Sequence, residues 1–297
     1  GIQQIIVSRF TFSDYFLIVP SLRQNAVFMD CRHPLIMGVV NVTPDSFSDG
    51  GLYHSTEQAV AHAHDLIKEG ADILDIGGES TRPGSVPVSL DEELNRVIPV
   101  LEALVDINIP ISVDTSKPEV MLQAIKAGAS IINDINALCA PGALEVIAQD
   151  SHVLVCLMHM QGNPQSMQAN PQYLNIIADV KNFLQQRLEA AQTAGISLNR
   201  LIIDPGFGFG KTVQHNFTLL NRIDSFTDLG VPVLAGLSRK SMLGAITGNT
   251  VDHRINESIA AALLAVIKGA RIVRVHDVKA SKDALAIYMA MQNYQAC

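Results

Sequence analysis

The stretch Leu74–Ser85, LDIGGESTRPGS, joins an apolar run directly to a cluster of charged and hydroxylated residues. Ile73–Ile76 reads as a strand of a parallel sheet, because strands covered on both faces are apolar almost throughout. Gly77 and Gly78 let the backbone turn at once. Glu79, Ser80, Thr81 and Arg82 then offer a carboxylate, two hydroxyls and a guanidinium before Pro83-Gly84 closes the loop. A polar loop in that place, just past the end of a buried strand, is built to meet a ligand.

The same unit recurs along the chain. Further short runs rich in Val, Ile and Leu fall at Leu35–Asn41, Ile111–Asp114, Ile131–Asp134, Val153–His159, Leu201–Asp204, Val233–Gly236 and Ile272–His276. Each is followed by a segment of helical period, clearest at Thr56–Glu69, Leu90–Val105, Pro118–Ala127, Leu174–Ala194 and Arg254–Lys268. Gly70, Gly128, Gly195 and Gly269 stand where helix stops belong. Eight such βα units predict an α/β protein, a single (β/α)8 TIM barrel over 34–297. An open doubly wound sheet would carry GxGxxG between its first strand and first helix, whereas the GFGFG at 206–210 follows a later strand.

Composition agrees with one domain. The 297 residues are 48% hydrophobic, enough for one large core, and no linker-like or low-complexity segment divides them. A net charge of −8 without Lys/Arg clusters argues against nucleic acid as a partner but not against a small anion. Cys31, Cys139, Cys156 and Cys297 lack the paired spacing of a zinc site or disulfide scaffold, and a reducing cytoplasm is the expected setting. Ile259–Ile267 is too short to cross a bilayer. Residues 1–33 show neither a clear period nor the layout of an export signal. They are expected to be a poorly ordered extension, native or artefactual, with Met29 a more natural start.

Asn41, Asp114, Asn133, Asp204, Arg274 and His276 all fall at or just past the C-terminal ends of predicted strands, the active-site face of such a barrel. Singly, each is as readily a cap or a salt bridge; together they define a mouth. Asp114, Asn133 and Asp204, with Lys240 nearby, suit a flat, nitrogen-rich heterocycle, since a carboxylate accepts two parallel hydrogen bonds from an N–C–N edge. Asp204 or Asp114 can serve an aminopyrimidinone in that way. Met158, Phe207 and Phe209 offer apolar faces for the ring, or ordinary core packing. Asn41, Arg82, Arg274 and His276 suit an anionic group such as phosphate, and Asn41 is the candidate ligand for a Mg²⁺ ion that takes its other oxygens from a diphosphate and water. Lys240 also admits a Schiff-base reading, which implies an aldolase.

The segments LIMGVVNVTPDSFSDGG at 35–51 and GADILDIGGESTRPGS at 70–85 resemble the two signature segments of the dihydropteroate synthase family. SVDTSK (112–117), INDI (132–135), DPGFGFGK (204–211), GLSRK (236–240) and RVHDV (274–278) resemble that family in the same order. The resemblance runs from about residue 34 to the C-terminus, and no motif departs from the pattern.

It implies condensation of (7,8-dihydropterin-6-yl)methyl diphosphate with 4-aminobenzoate to give 7,8-dihydropteroate and diphosphate in folate synthesis, with sulfonamides competing for the aminobenzoate position. It also implies the roles. Asp114, Asn133, Asp204 and Lys240 would hold the pterin, Arg274 and His276 the diphosphate, and Asn41 the Mg²⁺, with Thr81, Met158, Phe209 and Gly236 also assigned to the pterin diphosphate. Thr81, Arg82 and Pro83 would close on 4-aminobenzoate with Phe47 and Phe207, and Ser238 would lie near its carboxylate. Asp45, Arg82, Asp114 and Lys240 carry the catalytic assignment. The C–O bond would ionise before the arylamine attacks. The loops at 42–51 and 78–87 would order over bound diphosphate, bringing in Asp45, Phe47 and Ser48. A homodimer through late helices, including Ile259–Ile267, is expected. The alternatives are a pterin-binding methyltransferase barrel that serves a corrinoid protein, and a non-catalytic pterin-binding protein that could dispense with Asn41, Arg82 or Lys240.

Overall fold

The computed structural model of the chain describes residues 33–42 and 51–294. The expectation for the N-terminal extension therefore lies, apart from His33, outside the described residues. Eight parallel strands follow one another around a barrel: β1 Leu35–Asn41, β2 Ile73–Gly77, β3 Ile111–Asp114, β4 Ile131–Asp134, β5 Leu154–Met158, β6 Leu201–Asp204, β7 Leu234–Ala235 and β8 Ile272–Val275. They pair in the order β6-β5-β4-β3-β2-β1-β8-β7, and a single parallel bridge between Ile203 and Val233 brings β7 back to β6. The helices are α1 Gly51–Glu69, α2 Leu90–Ala103, α3 Pro118–Lys126, α4 Ala143–Gln149, α5 Ile176–Thr193, α6 Val213–Asn221, α7 Ser241–Thr247, α8 Ile255–Ile267 and α9 Val278–Tyr294. No helix among the described residues is long and apolar enough to cross a membrane.

Strand alternation divides the core in two. Outward residues such as Ile36, Val40, Leu74, Ile76, Val113, Ile132 and Ile203 pack under the helices. Inward residues of the lower turn, Leu35, Met37, Ile73, Ile131, Leu154, Cys156, Ile202, Leu234 and Ile272, fill the barrel and give it an apolar floor. Towards the C-terminal ends several inward positions turn polar, among them Asn41, Asp75, Asp114, Asn133, Asp204 and Arg274, and the register aligns Asn41 with Gly77, Gly77 with Asp114, and Asp114 with Asn133.

The predicted elements differ from the observed ones mainly at their ends. Strand β7 keeps two residues where Val233–Gly236 is predicted, because Pro232 has no N–H to donate to a neighbouring strand and Gly236 already belongs to the next loop. Helix α5 begins at Ile176 rather than Leu174, since the Asn175 side chain caps it by accepting from the Ala178 N–H. All four predicted glycine stops have positive φ, between 95° and 111°.

Candidate active site

Above the floor, the β2, β3, β4 and β8 side chains form one network. The Arg274 guanidinium donates through Nε to Asp75 Oδ2 at 2.5 Å and through Nη2 to Asp114 Oδ2 at 3.0 Å. Asn133 Nδ2 donates to the same Asp75 oxygen at 3.2 Å. Asp75 is wholly buried and Asp114 and Asn133 nearly so. Each aspartate keeps one buried oxygen, Oδ1, without a hydrogen-bond partner. Burial pushes the Asp114 carboxyl up to about 7; Arg274 opposes that shift and Asp75 adds to it. Burial also works against the Arg274 charge, but Asp75 and Asp114 outweigh it and hold the guanidinium protonated. Asp75 is the site residue that sequence reasoning misses. Its signal was present, since it shares the inward parity of Gly77 and is the only charged residue within that apolar strand.

The β6 and β7 loops supply the opposite wall. Asp204, at the end of β6, accepts from the Gly206 N–H at 2.7 Å, and burial raises its carboxyl against the pull of Lys240. Lys240 donates to the Phe207 carbonyl and lies over the Phe209 ring, 4.7 Å from its centroid. Burial draws the Lys240 ammonium down to about 8, with Asp204 resisting. Gly236 borders this corner, where a β-carbon would stand in ordinary contact, 4.0 Å from both Asp204 Oδ2 and Lys240 Nζ. Phe207 corrects the expectation of a ring contact with a second substrate: its side chain is fully buried in the outer core, and it serves the site through its carbonyl. Lys211, within the quoted DPGFGFGK segment but not singled out, ties the loop to β5. Its Nζ donates to His159 Nδ1 at 2.9 Å, Phe209 O at 3.0 Å and His159 O at 3.3 Å.

At the rim, Thr81 is partly buried and Arg82 and Pro83 are exposed. Met158 is buried at the end of β5. Ser238 Oγ meets the His276 backbone N–H at 3.2 Å and ring Nδ1 at 3.0 Å. Burial lowers His276 to about 3, helped by Arg274, Arg239 and Arg82, so the ring is neutral near pH 7. A cavity of about 350 Å³ opens beside Asp114, lined among others by Thr81, Thr115, Ile135, Met160 and Asn163. Asp45, Phe47 and Ser48 lie outside the described residues. No cluster of three metal-ligating side chains stands among the described residues, so Asn41 would offer a hard cation a single oxygen, as suits an ion that takes its other ligands from substrate and water. The bare Gly77 leaves a gap there, and its missing β-carbon would stand 3.9 Å from both Asn41 Oδ1 and Asp114 Oδ2.

The family model described as Pterin binding enzyme matches residues 37–276. The dihydropteroate synthase of Haemophilus influenzae is 51% identical over 273 residues, 92% of this chain and 99% of that protein. The chain belongs to the dihydropteroate synthase family. Solved members share the fold. The Xanthomonas albilineans dihydropteroate synthase with 4-aminobenzoic acid superposes with a TM-score of 0.83 at 53% identity, covering 88% of this chain and 93% of that one. The Burkholderia cenocepacia dihydropteroate synthase complexed with 7,8-dihydropteroate does so at 0.81 and 48% identity, covering 89% and 93%.

Proposed function

We propose that this chain condenses (7,8-dihydropterin-6-yl)methyl diphosphate with 4-aminobenzoate, and that the barrel mouth described above is where it does so. The observation that carries the assignment of the site is the buried Asp114 Oδ1, an acceptor without a partner beside Asn133 and opposite the Asp204–Lys240 pair. A buried carboxylate oxygen left unpaired is costly, and the N–H edge of a dihydropterin satisfies it. Arg274 uses only Nε and Nη2 on the two aspartates, which leaves its Nη1 donors to meet the diphosphate.

The remaining chemistry is charge management. The C–O bond breaks with its electrons on the diphosphate, the pterin carries the resulting cation, and the arylamine lone pair captures it with loss of a proton. Arg274 stabilises the developing negative charge, and neutral His276 contributes a hydrogen bond rather than a charge. Asp114 and Asp204 stabilise the cation. Asn41 would hold Mg²⁺, which when bound offsets negative charge on the leaving diphosphate. Thr81, Arg82, Pro83 and Ser238 would close around 4-aminobenzoate and exclude water that would otherwise trap the cation. A homodimer would use α8, where Leu264 and Ile267 are half exposed. The two described cysteines, Cys139 and Cys156, are free, which fits a reducing cytoplasm.

Mixing the protein with the pterin diphosphate, Mg²⁺ and 4-aminobenzoate should yield dihydropteroate and diphosphate in equal amounts. Lys240→Ala should lower kcat/KM by about 100-fold or more, and a sulfonamide should raise the apparent KM for 4-aminobenzoate without changing kcat. Tight pterin binding with no dihydropteroate would overturn the assignment in favour of a methyl carrier or a binding protein.

A further inference from the structure

The loop that carries Thr81, Arg82 and Pro83 leaves β2 at Gly78 and reaches the cap of α2 at Ser89. Its first side chain is tied down. Lys117, the residue that caps α3, places Nζ 2.5 Å from Glu79 Oε2 and also donates to Glu93 Oε2. Glu93 stands on α2 and is wholly buried, while Glu79 and Lys117 are only partly exposed. The other Glu79 oxygen, Oε1, accepts from the Val88 N–H at 3.0 Å, so one carboxylate joins the two ends of the loop. The backbone beneath is equally constrained. Arg96 Nη1 donates to Gly78 O at 2.7 Å, and a β-carbon on Gly78 would meet Val97 Cγ2 at 2.8 Å. Between these anchors the loop has lighter ties, chiefly Ser85 Oγ to Ser80 O at 2.6 Å and Gly84 N–H to Pro164 O at 3.1 Å.

We propose that Lys117 and Glu79 are positioning residues for the second substrate: their ion pair, braced by Glu93, sets the shape of the Ser80–Pro87 loop and through it the affinity for 4-aminobenzoate. The proposal rests on the functional reading above. Electrostatics gives it direction. One ammonium between two carboxylates is stable, but without it the two carboxylates face each other and Glu93 cannot reach water. Glu79 is the one that can leave, and its departure releases Val88 and the loop between.

Steady-state kinetics of Lys117→Met, Lys117→Arg, Glu79→Gln and the double variant Glu79→Gln/Lys117→Met test this, alongside calorimetric titration with the pterin diphosphate and amide exchange of the loop. Lys117→Met should raise the KM for 4-aminobenzoate about tenfold while the pterin Kd stays within about twofold. Lys117→Arg should restore most of the affinity. In the double variant one repelling carboxylate is gone, and KM should lie between the wild type and Lys117→Met. Amides of 79–88 should exchange faster in Lys117→Met, with β1 and β8 unchanged. A KM that moves less than about twofold in both Glu79→Gln and Lys117→Met, or a pterin Kd that rises in step with KM, would overturn the proposal. Should Lys117→Met fail to fold, Glu79→Gln and Lys117→Arg still decide it. A wild-type chain that makes no dihydropteroate would instead sink the functional reading, and unchanged exchange at 79–88 would sink the clamp independently of it.

Discussion

Burial pushes the Asp114 carboxyl up to about 7, and a pterin that donates hydrogen bonds prefers it ionised. The ionised share therefore rises about tenfold between pH 6 and pH 8. The pterin Kd should fall by about the same factor over that range, and Asp114→Asn should flatten the profile; titration calorimetry at both pH values checks it. The stability of the empty protein runs the other way. A carboxyl raised above its unfolded value contributes to folding below about pH 4 and loses that contribution as pH rises through about 7. Asp114 and Asp204 were legible in the sequence because each closes an apolar run and stands at its strand's end, and Asn133 and Arg274 because each is a polar residue one position short of that end. Asp75 was not, because it sits two residues below its strand's end, where only the inward parity marks it. Glu93 and Lys117 were hidden differently, since their partners lie 24 and 38 positions apart along the chain.

The β6 loop shows what an element adds to its residues. Gly206 has φ +72°, and a β-carbon there would fall 1.8 Å from the His159 carbonyl oxygen at the end of β5. The glycine thus lets the Asp204 loop lie against its neighbour. Gly206→Ala should cost about 3 kcal/mol or more, the positive-φ penalty plus displacement of β5, measured by denaturant unfolding; a loss under about 1 kcal/mol would mean that the loop has room to shift. The glycines of GFGFG stood out in the sequence, but their purpose did not, because it is contact with another strand. The β4 loop was less legible still. Ala137 and Leu138 adopt positive φ of 51° and 56°, a conformation nothing in their chemistry favours. Asp134 holds them through the N–H groups of Asn136 and Leu138, and Arg187 through the carbonyls of Ala137 and Leu138.

Across the barrel, pairing strength is uneven. Strands β1 and β2 align over five residue pairs, whereas β7 aligns with β8 over two and meets β6 only at the Ile203–Val233 bridge. Strand amides at this seam, Ile203 among them, should exchange about tenfold faster than those between β1 and β2; uniform protection around the ring would contradict this. The eight-unit repeat was readable from apolar runs, because every parallel strand here is buried on both faces. The thin seam was not, since Val233–Gly236 looks as apolar as its neighbours and only Pro232 hints at a lost donor. The apolar floor carries a different lesson. Leu35, Ile73, Ile131, Leu154, Ile202, Leu234 and Ile272 stop the lower end of the barrel, so traffic passes through one opening. The residues proposed for the pterin stand deep in that well and those proposed for 4-aminobenzoate stand at its lip. A well with one opening constrains the order of entry: with the pterin seated deepest, 4-aminobenzoate should follow it, and slower turnover at excess 4-aminobenzoate and limiting pterin diphosphate would show that an early arrival blocks the way in.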